Sequence, residues 1–306
     1  MSSQDTLSFP FDIWSRIPQE ILDRIVDHLH DQPRVLKNCS LVSSSWNTSC
    51  RPHLFAQVNF RSTWMPKEQG PDKESGKDGR PAIDFSTITP YIKVFTIYRR
   101  AQDYVAGTGD PLGDIQSLLD VLSNLPMLRS LAVVNGTGHN IVPWAFQKDV
   151  FLGFISALEK SSKNLASLRL VNCTFSNLSE LVQLIGACPC LRRLELDGLW
   201  WSSGAAPTPE LARRVGDTLS ASLEELSLGA DISWFQRSSI IDWLSQQSHF
   251  SNLTSVILKC GDVVAQNSEA QGFLEMHGAS LQYLHISSPC LVRGHPPDFV
   301  GKWFPA

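Results

Sequence analysis

Cys188-Pro189-Cys190 is the only close pair among the seven cysteines of this 306-residue sequence. A structural zinc site needs two such pairs at set spacings, and no second Cys or His pair stands at a suitable distance. Gly107-Thr108-Gly109-Asp110-Pro111-Leu112-Gly113 is glycine-rich. It lacks the Lys-Ser/Thr of a phosphate loop and the spacing of a dinucleotide turn, so it reads as a surface loop. The eight histidines are dispersed, and His139, within Gly136-Thr137-Gly138-His139-Asn140, has no base or nucleophile beside it in sequence. Glu224 and Glu225 are adjacent in an extended segment, so they face opposite sides and cannot share a proton. No nucleophile elbow or paired-histidine metal helix is present. The expectation is a chain with no catalytic residues, no metal and no cofactor.

What the chain has in excess is apolar surface near its start. Pro18 suits the first turn of a helix. Ile21, Leu22, Ile25, Val26 and Leu29 then recur at helical spacing, with Asp23, Arg24, Asp27 and His28 opposite. Asp31 is placed to cap a second helix carrying Pro33 in its first turn and Val35, Leu36, Cys39, Leu41 and Val42. Ser43-Ser44-Ser45 offers caps for a third helix bearing Trp46, and Pro52 is expected to break the chain before Leu54-Phe55. A segment below roughly 40 to 50 residues seldom sustains its own core. Its surplus apolar face is covered either by the rest of the chain or by a partner.

These residues resemble the F-box, whose signature Leu-Pro-x-Glu-Ile/Leu is followed by Cys-x-Leu-Val-x-x-x-Trp. Here the first element reads Ile17-Pro18-Gln19-Glu20-Ile21, with Ile replacing Leu. The second reads Cys39-Ser40-Leu41-Val42-Ser43-Ser44-Ser45-Trp46, and Pro52-His53-Leu54-Phe55 matches the usual ending. The resemblance spans residues 11–60 and is nearest to the F-box proteins abundant in fungi. It implies docking to a Skp-type adaptor and, through it, to the cullin of an SCF ubiquitin ligase. Carried over residue by residue, the anchors are Ile17, Pro18, Ile21, Leu22, Leu41, Val42 and Trp46. Ile25, Leu29 and Leu54 serve either as contacts or as internal core.

The rest of the composition narrows the partners. The length suggests two domains. With 26 basic and 30 acidic residues the charge is nearly balanced, and basic residues gather only as dyads such as Arg192-Arg193. That argues against nucleic-acid and membrane surfaces. Met1-Ser2-Ser3-Gln4-Asp5 shows no secretory pattern, and no run approaches the ~18 apolar residues of a membrane span. Seven scattered cysteines suit a reducing compartment. A cytoplasmic or nuclear protein is expected.

Residues 67–80 are charged, glycine-rich and poor in apolar side chains, which predicts a mobile loop within a linker over 61–89. Trp64 and Met65 stand just before that loop, placed to dock on the second domain. From residue 90 to 306 an apolar-x-x-apolar-x-apolar frame recurs. Its copies are Leu128/Leu131/Val133, Leu165/Leu168/Leu170, Leu191/Leu194/Leu196, Leu223/Leu226/Leu228, Leu253/Val256/Leu258 and Leu281/Leu284/Ile286, with Ile92/Phe95/Ile97 as a first member. Helical patterns such as Leu178, Leu181, Val182, Ile185 precede the frames. Strand and helix in series predict an α/β fold: a three-helix F-box followed by a leucine-rich-repeat-like solenoid with a parallel sheet. An ordinary α/β domain with one open sheet is the alternative. The F-box resemblance favours the repeats, because an F-box followed by leucine-rich repeats is a recurrent arrangement.

In a solenoid the residues alternating with the frame face one open surface. Those expected to meet a target protein are Arg169, Arg193, Glu195, Asp197, Glu225 and Tyr283, with Trp200, Trp201 and Trp234 in loops at one rim beside Trp144, Phe146 and Phe235. The functional expectation is a substrate receptor that binds adaptor and target. A scaffold that binds an adaptor without promoting ubiquitination, and an enzyme with an unrecognised site, are the other readings.

Overall fold

The computed structural model describes residues 17–61, 85–99, 111–135, 144–145, 148–203, 205–232, 234–247, 250–259, 267–287 and 298–302. The chain divides into two compact units. One comprises Met1–Val58 with Asp84–Ile92, the other Asn59–Ile83 with Lys93–Ala306.

The first unit is a hook of three helices, α1 (Gln19–His28), α2 (Pro33–Cys39) and α3 (Ser44–Leu54). The Pro18 carbonyl accepts the Ile21 amide at 3.0 Å and opens α1. Ser43 caps α3 as expected, its hydroxyl accepting the Trp46 amide at 3.4 Å. Two local expectations are corrected. Gln32, not Asp31, takes the cap position of α2, because Pro33 is already its first helical residue. Pro52 lies inside α3 rather than ending it. In a last turn a proline removes a single backbone bond, and the helix still closes with the Phe55 amide on the Arg51 carbonyl at 3.0 Å. Leu22, Val26, Leu36, Trp46 and Cys50 form the core, with Ile17, Leu29, Cys39 and Leu54 packed against it. Short 3-10 turns at Phe85–Thr87 and Thr89–Tyr91 belong to the same unit, the second packing on α3, and Ile88 and Ile92 are buried. The second segment of the first unit ends at Ile92. The charged stretch 67–80, Trp64 and Met65 lie outside the described residues.

Strand β1 (Gln57–Arg61) begins at the end of the first unit, and the second unit continues with β2 (Val94–Arg99), β3 (Ser130–Asn135), β4 (Trp144–Ala145), β5 (Ser167–Val171) and β6 (Cys173–Asn177). There follow β7 (Arg193–Asp197), β8 (Trp200–Ser203), β9 (Glu225–Leu228), β10 (Ser255–Lys259), β11 (Tyr283–Ser287) and β12 (Asp298–Lys302). Helices α4 (Pro111–Ser123), α5 (Lys148–Ser161), α6 (Leu178–Gly186), α7 (Pro209–Ser222), α8 (Trp234–Ser245) and α9 (Asn267–His277) alternate with them. The large sheet runs β1-β2-β3-β5-β7-β9-β10-β11-β12, and β4-β6-β8 make a second, smaller sheet. From β2 to β11 each neighbouring pair is parallel, whereas β12 is antiparallel to β11. The strand order follows the chain and never reverses. A doubly wound sheet reverses at a switch point, so this is the leucine-rich-repeat-like arrangement.

The frame read from the sequence sets the register. Phe95, Leu131, Leu168, Leu194, Leu226, Val256 and Leu284 are successive cross-strand partners, all inside the core. One main-chain device repeats with them. At the turn into each strand a single carbonyl accepts two consecutive amides from the next repeat. Lys93 O takes Arg129 and Ser130, Arg129 O takes Ala166 and Ser167, and Ala166 O takes Arg192 and Arg193, all at 2.8–3.0 Å. Arg192 O, Glu224 O and Thr254 O continue the series.

Past the strands, side chains secure the turns. Asn135 donates to the Asn172 carbonyl at 2.6 Å, and Asn172 donates back to the Asn135 carbonyl at 3.1 Å. Asn172 has φ 56°, a left-handed conformation that asparagine tolerates better than most residues. Later repeats lack these asparagines. There the buried Arg237 of α8 bridges the Gly229 and Lys259 carbonyls at 2.7 and 2.8 Å.

Candidate functional site

The hook carries more aliphatic surface than its core uses. On α1, Leu22 and Val26 are sealed inside, while Ile21 and Ile25, one turn apart on the adjacent face, are exposed. On α2, Leu36 is inside and Val35 outside. Leu41 is 80% exposed and Val42 50%, in the turn between α2 and α3. Two bonds hold that turn, from the Leu41 amide to the Asn38 carbonyl at 3.1 Å and from Val42 to Cys39 at 3.0 Å. Pro18 is exposed as well.

Three of the expected anchors are placed differently. Leu22 is fully buried, Trp46 is 8% exposed, and Ile17 packs against the hook core. Ile25 and Val35 are exposed on the outer face.

A polar cluster ties α1 to α3. The Ser49 hydroxyl donates to Asp23 Oδ1 at 2.7 Å, and the Gln19 amide donates to the same oxygen at 2.9 Å and to Ser49 Oγ. These bonds, that from Ser49 foremost, hold the Asp23 carboxyl below its ordinary value of 3.8.

On the open face of the sheet the expected target residues are largely paired with one another. Arg169 and Glu195 stand directly opposite and meet at 3.2 Å, as do Arg193 and Glu225. Next to the latter pair, Arg192 reaches Glu224 at 3.3 Å. The two adjacent glutamates therefore serve two different arginines. Asp197 accepts the Asp231 amide at 3.3 Å and so braces a turn. Tyr283 is half-buried, its ring edge-on to His285 with centroids 6.5 Å apart.

The aromatic rim is corrected in part. Trp200 and Trp201 lie in strand β8, not in a loop, and strand alternation sends them to opposite sides. Trp200 is 54% exposed, whereas Trp201 is buried. Trp144 is in β4 and Trp234 opens α8, but their side chains, with that of Phe235 and all of Phe146, lie outside the described residues.

Burial pushes the thiols of Cys173 and Cys188 up to about 12, so both behave as apolar groups. Cys50 is raised for the same reason. Among the described residues no His/Cys/Asp/Glu group could hold a metal, and no helix is long and apolar enough to cross a membrane.

A helical hook and a stack of strand–helix repeats define a repeat protein with a separate helical module. Residues 14–61 match the family model described as F-box-like, and that module is an F-box-like domain. Among solved structures, the crystal structure of the Rad7 and Elc1 complex in yeast is similar over 89% of this chain and 76% of that one, at 13% identity and a TM-score of 0.26. No curated protein matches the chain.

Proposed function

We propose that the chain is the substrate-recognition subunit of an SCF-type cullin–RING ubiquitin ligase. The F-box-like domain docks a Skp-type adaptor, the repeats hold a target protein, and the ubiquitin chemistry belongs to partner subunits. The complex would work in the cytoplasm or nucleus. One observation carries the reading: the hook completes its core with Leu22, Val26, Leu36, Trp46 and Cys50, yet leaves Ile21, Ile25, Val35, Leu41 and Val42 exposed. Fully burying an aliphatic side chain is worth about 1.5–3 kcal/mol, and several together offset the cost of association.

The test replaces Leu41 and Val42 together with Asp. Both are exposed, so the circular dichroism spectrum and melting temperature should hold, while recovery of a Skp-type adaptor from extract should fall more than about tenfold, equivalent to 1.4 kcal/mol. Unchanged recovery would sink the adaptor reading. Adaptor recovered without cullin, or without turnover of any bound protein, would favour a non-catalytic scaffold.

A further inference from the structure

Two free cysteines share the core of the hook. Cys39 ends α2, and Cys50 lies in α3 one turn beyond Trp46. Cys50 is fully buried among Leu36, Trp46 and the other core residues, while Cys39 is half-buried and packs against the same cluster. Burial raises the Cys50 thiol, and the neighbouring Cys39 sulfur raises it further. A sealed thiol of this kind is slow toward reagents in bulk water. The sulfur it meets is that of Cys39. The pair also brackets the exposed turn, because Leu41 and Val42 lie among the residues 40–49 between them. The Cys39 carbonyl accepts the Val42 amide at 3.0 Å, so the turn follows any movement of Cys39.

We infer that Cys39 and Cys50 form a redox switch, closing a disulfide around the Leu41–Val42 turn when the chain meets hydrogen peroxide. Cys39, the sulfur that solvent reaches, attacks first. Its S–O bond forms as the O–O bond breaks, leaving a sulfenic acid and one water. The Cys50 sulfur then attacks that of Cys39, the S–S bond forms, and hydroxide leaves with the Cys50 proton as a second water. Two electrons pass from the thiols to the peroxide. A disulfide holds its Cβ atoms about 3.8 Å apart, which draws the end of α2 onto α3 and Val42 with it. Where thiols are kept reduced, such bonds are mostly transient, as a switch requires. That the displaced turn docks an adaptor rests on the proposed function; the disulfide does not.

The full chain is treated with hydrogen peroxide, quenched with catalase and mapped by mass spectrometry without reductant. The peptide holding both cysteines should lose two hydrogens and regain them with dithiothreitol. In Cys50→Ala the reaction should stop at the first step, and dimedone should label Cys39. An unmodified peptide, or a wild-type chain that stops at the sulfenic acid, would overturn the assignment. Recovery of a purified Skp-type adaptor should fall about tenfold on oxidation, return on reduction, and stay constant in Cys39→Ser. Undiminished recovery by the disulfide form would overturn the switch. An untreated chain that recovers no adaptor would defeat only the ligase reading, and the peptide map would still decide the disulfide.

Discussion

Adjacent side chains on one turn of α1 divide the labour of the hook. Leu22 is sealed in the core and Ile21 faces out, although both are aliphatic and both satisfy the helical period. Periodicity showed that the stretch is helical and apolar. It could not say which of two neighbouring stripes meets the hook and which is left over, because that depends on where α2 and α3 lie. The same limit applies to Trp46, which the period places on the helix and the structure places in the hook core. Leu22→Ala should therefore cost about 2–5 kcal/mol and lower the melting temperature of the hook, through the cavity it leaves. A melting temperature equal to that of wild type would contradict the burial. Asp23 makes a second prediction. Its carboxyl is held down mainly by the Ser49 hydroxyl, so its contribution is present above the ordinary value of 3.8 and fades as the pH falls through the lower folded value. Ser49→Ala should unfold at a higher pH on acid titration followed by circular dichroism. The gap from wild type should be widest near neutrality and close in strong acid. Parallel curves throughout would count against it.

At the scale of elements, each repeat pairs a strand of the large sheet with a helix, three of them adding a short strand of the second sheet, and none can bury its apolar face alone. The frames were legible because the same three positions must meet the neighbour in every repeat, so the pattern had to recur. Trp200 and Trp201 were misread as loop residues because β8 is four residues long and belongs to a second sheet. Arg237 was invisible, since a lone arginine in a helix gives no sign that it will bridge two carbonyls. The asparagine pair was only half visible: its place after the frame could be seen, but not its reciprocal bonding. Asn135→Ala removes the donor to the Asn172 carbonyl and should cost about 1–3 kcal/mol in urea unfolding, the usual range for orphaning a buried polar group. Opposite Asn172, Gly198 has φ 59°, and an added Cβ there would come within 2.0 Å of the Asn172 side-chain oxygen. Gly198→Ala should destabilise the same turn by about 1–3 kcal/mol.

For the whole molecule, a stack of parallel strands must end somewhere, and an open edge invites another chain. β12 covers one end by pairing antiparallel with β11, from Tyr283 opposite Lys302 to Ser287 opposite Asp298. A chain stopped at residue 297 should expose the β11 edge and self-associate with rising concentration in size-exclusion chromatography; a strictly monomeric profile would argue that the edge needs no cover. The lone carbonyl that receives two amides at each step carries a different consequence. Since the pitch from one coil to the next is fixed by backbone groups common to all residues but proline, the outward positions can be rewritten without disturbing the stack. A repeat stack built this way can vary its outer face while its frame stays put.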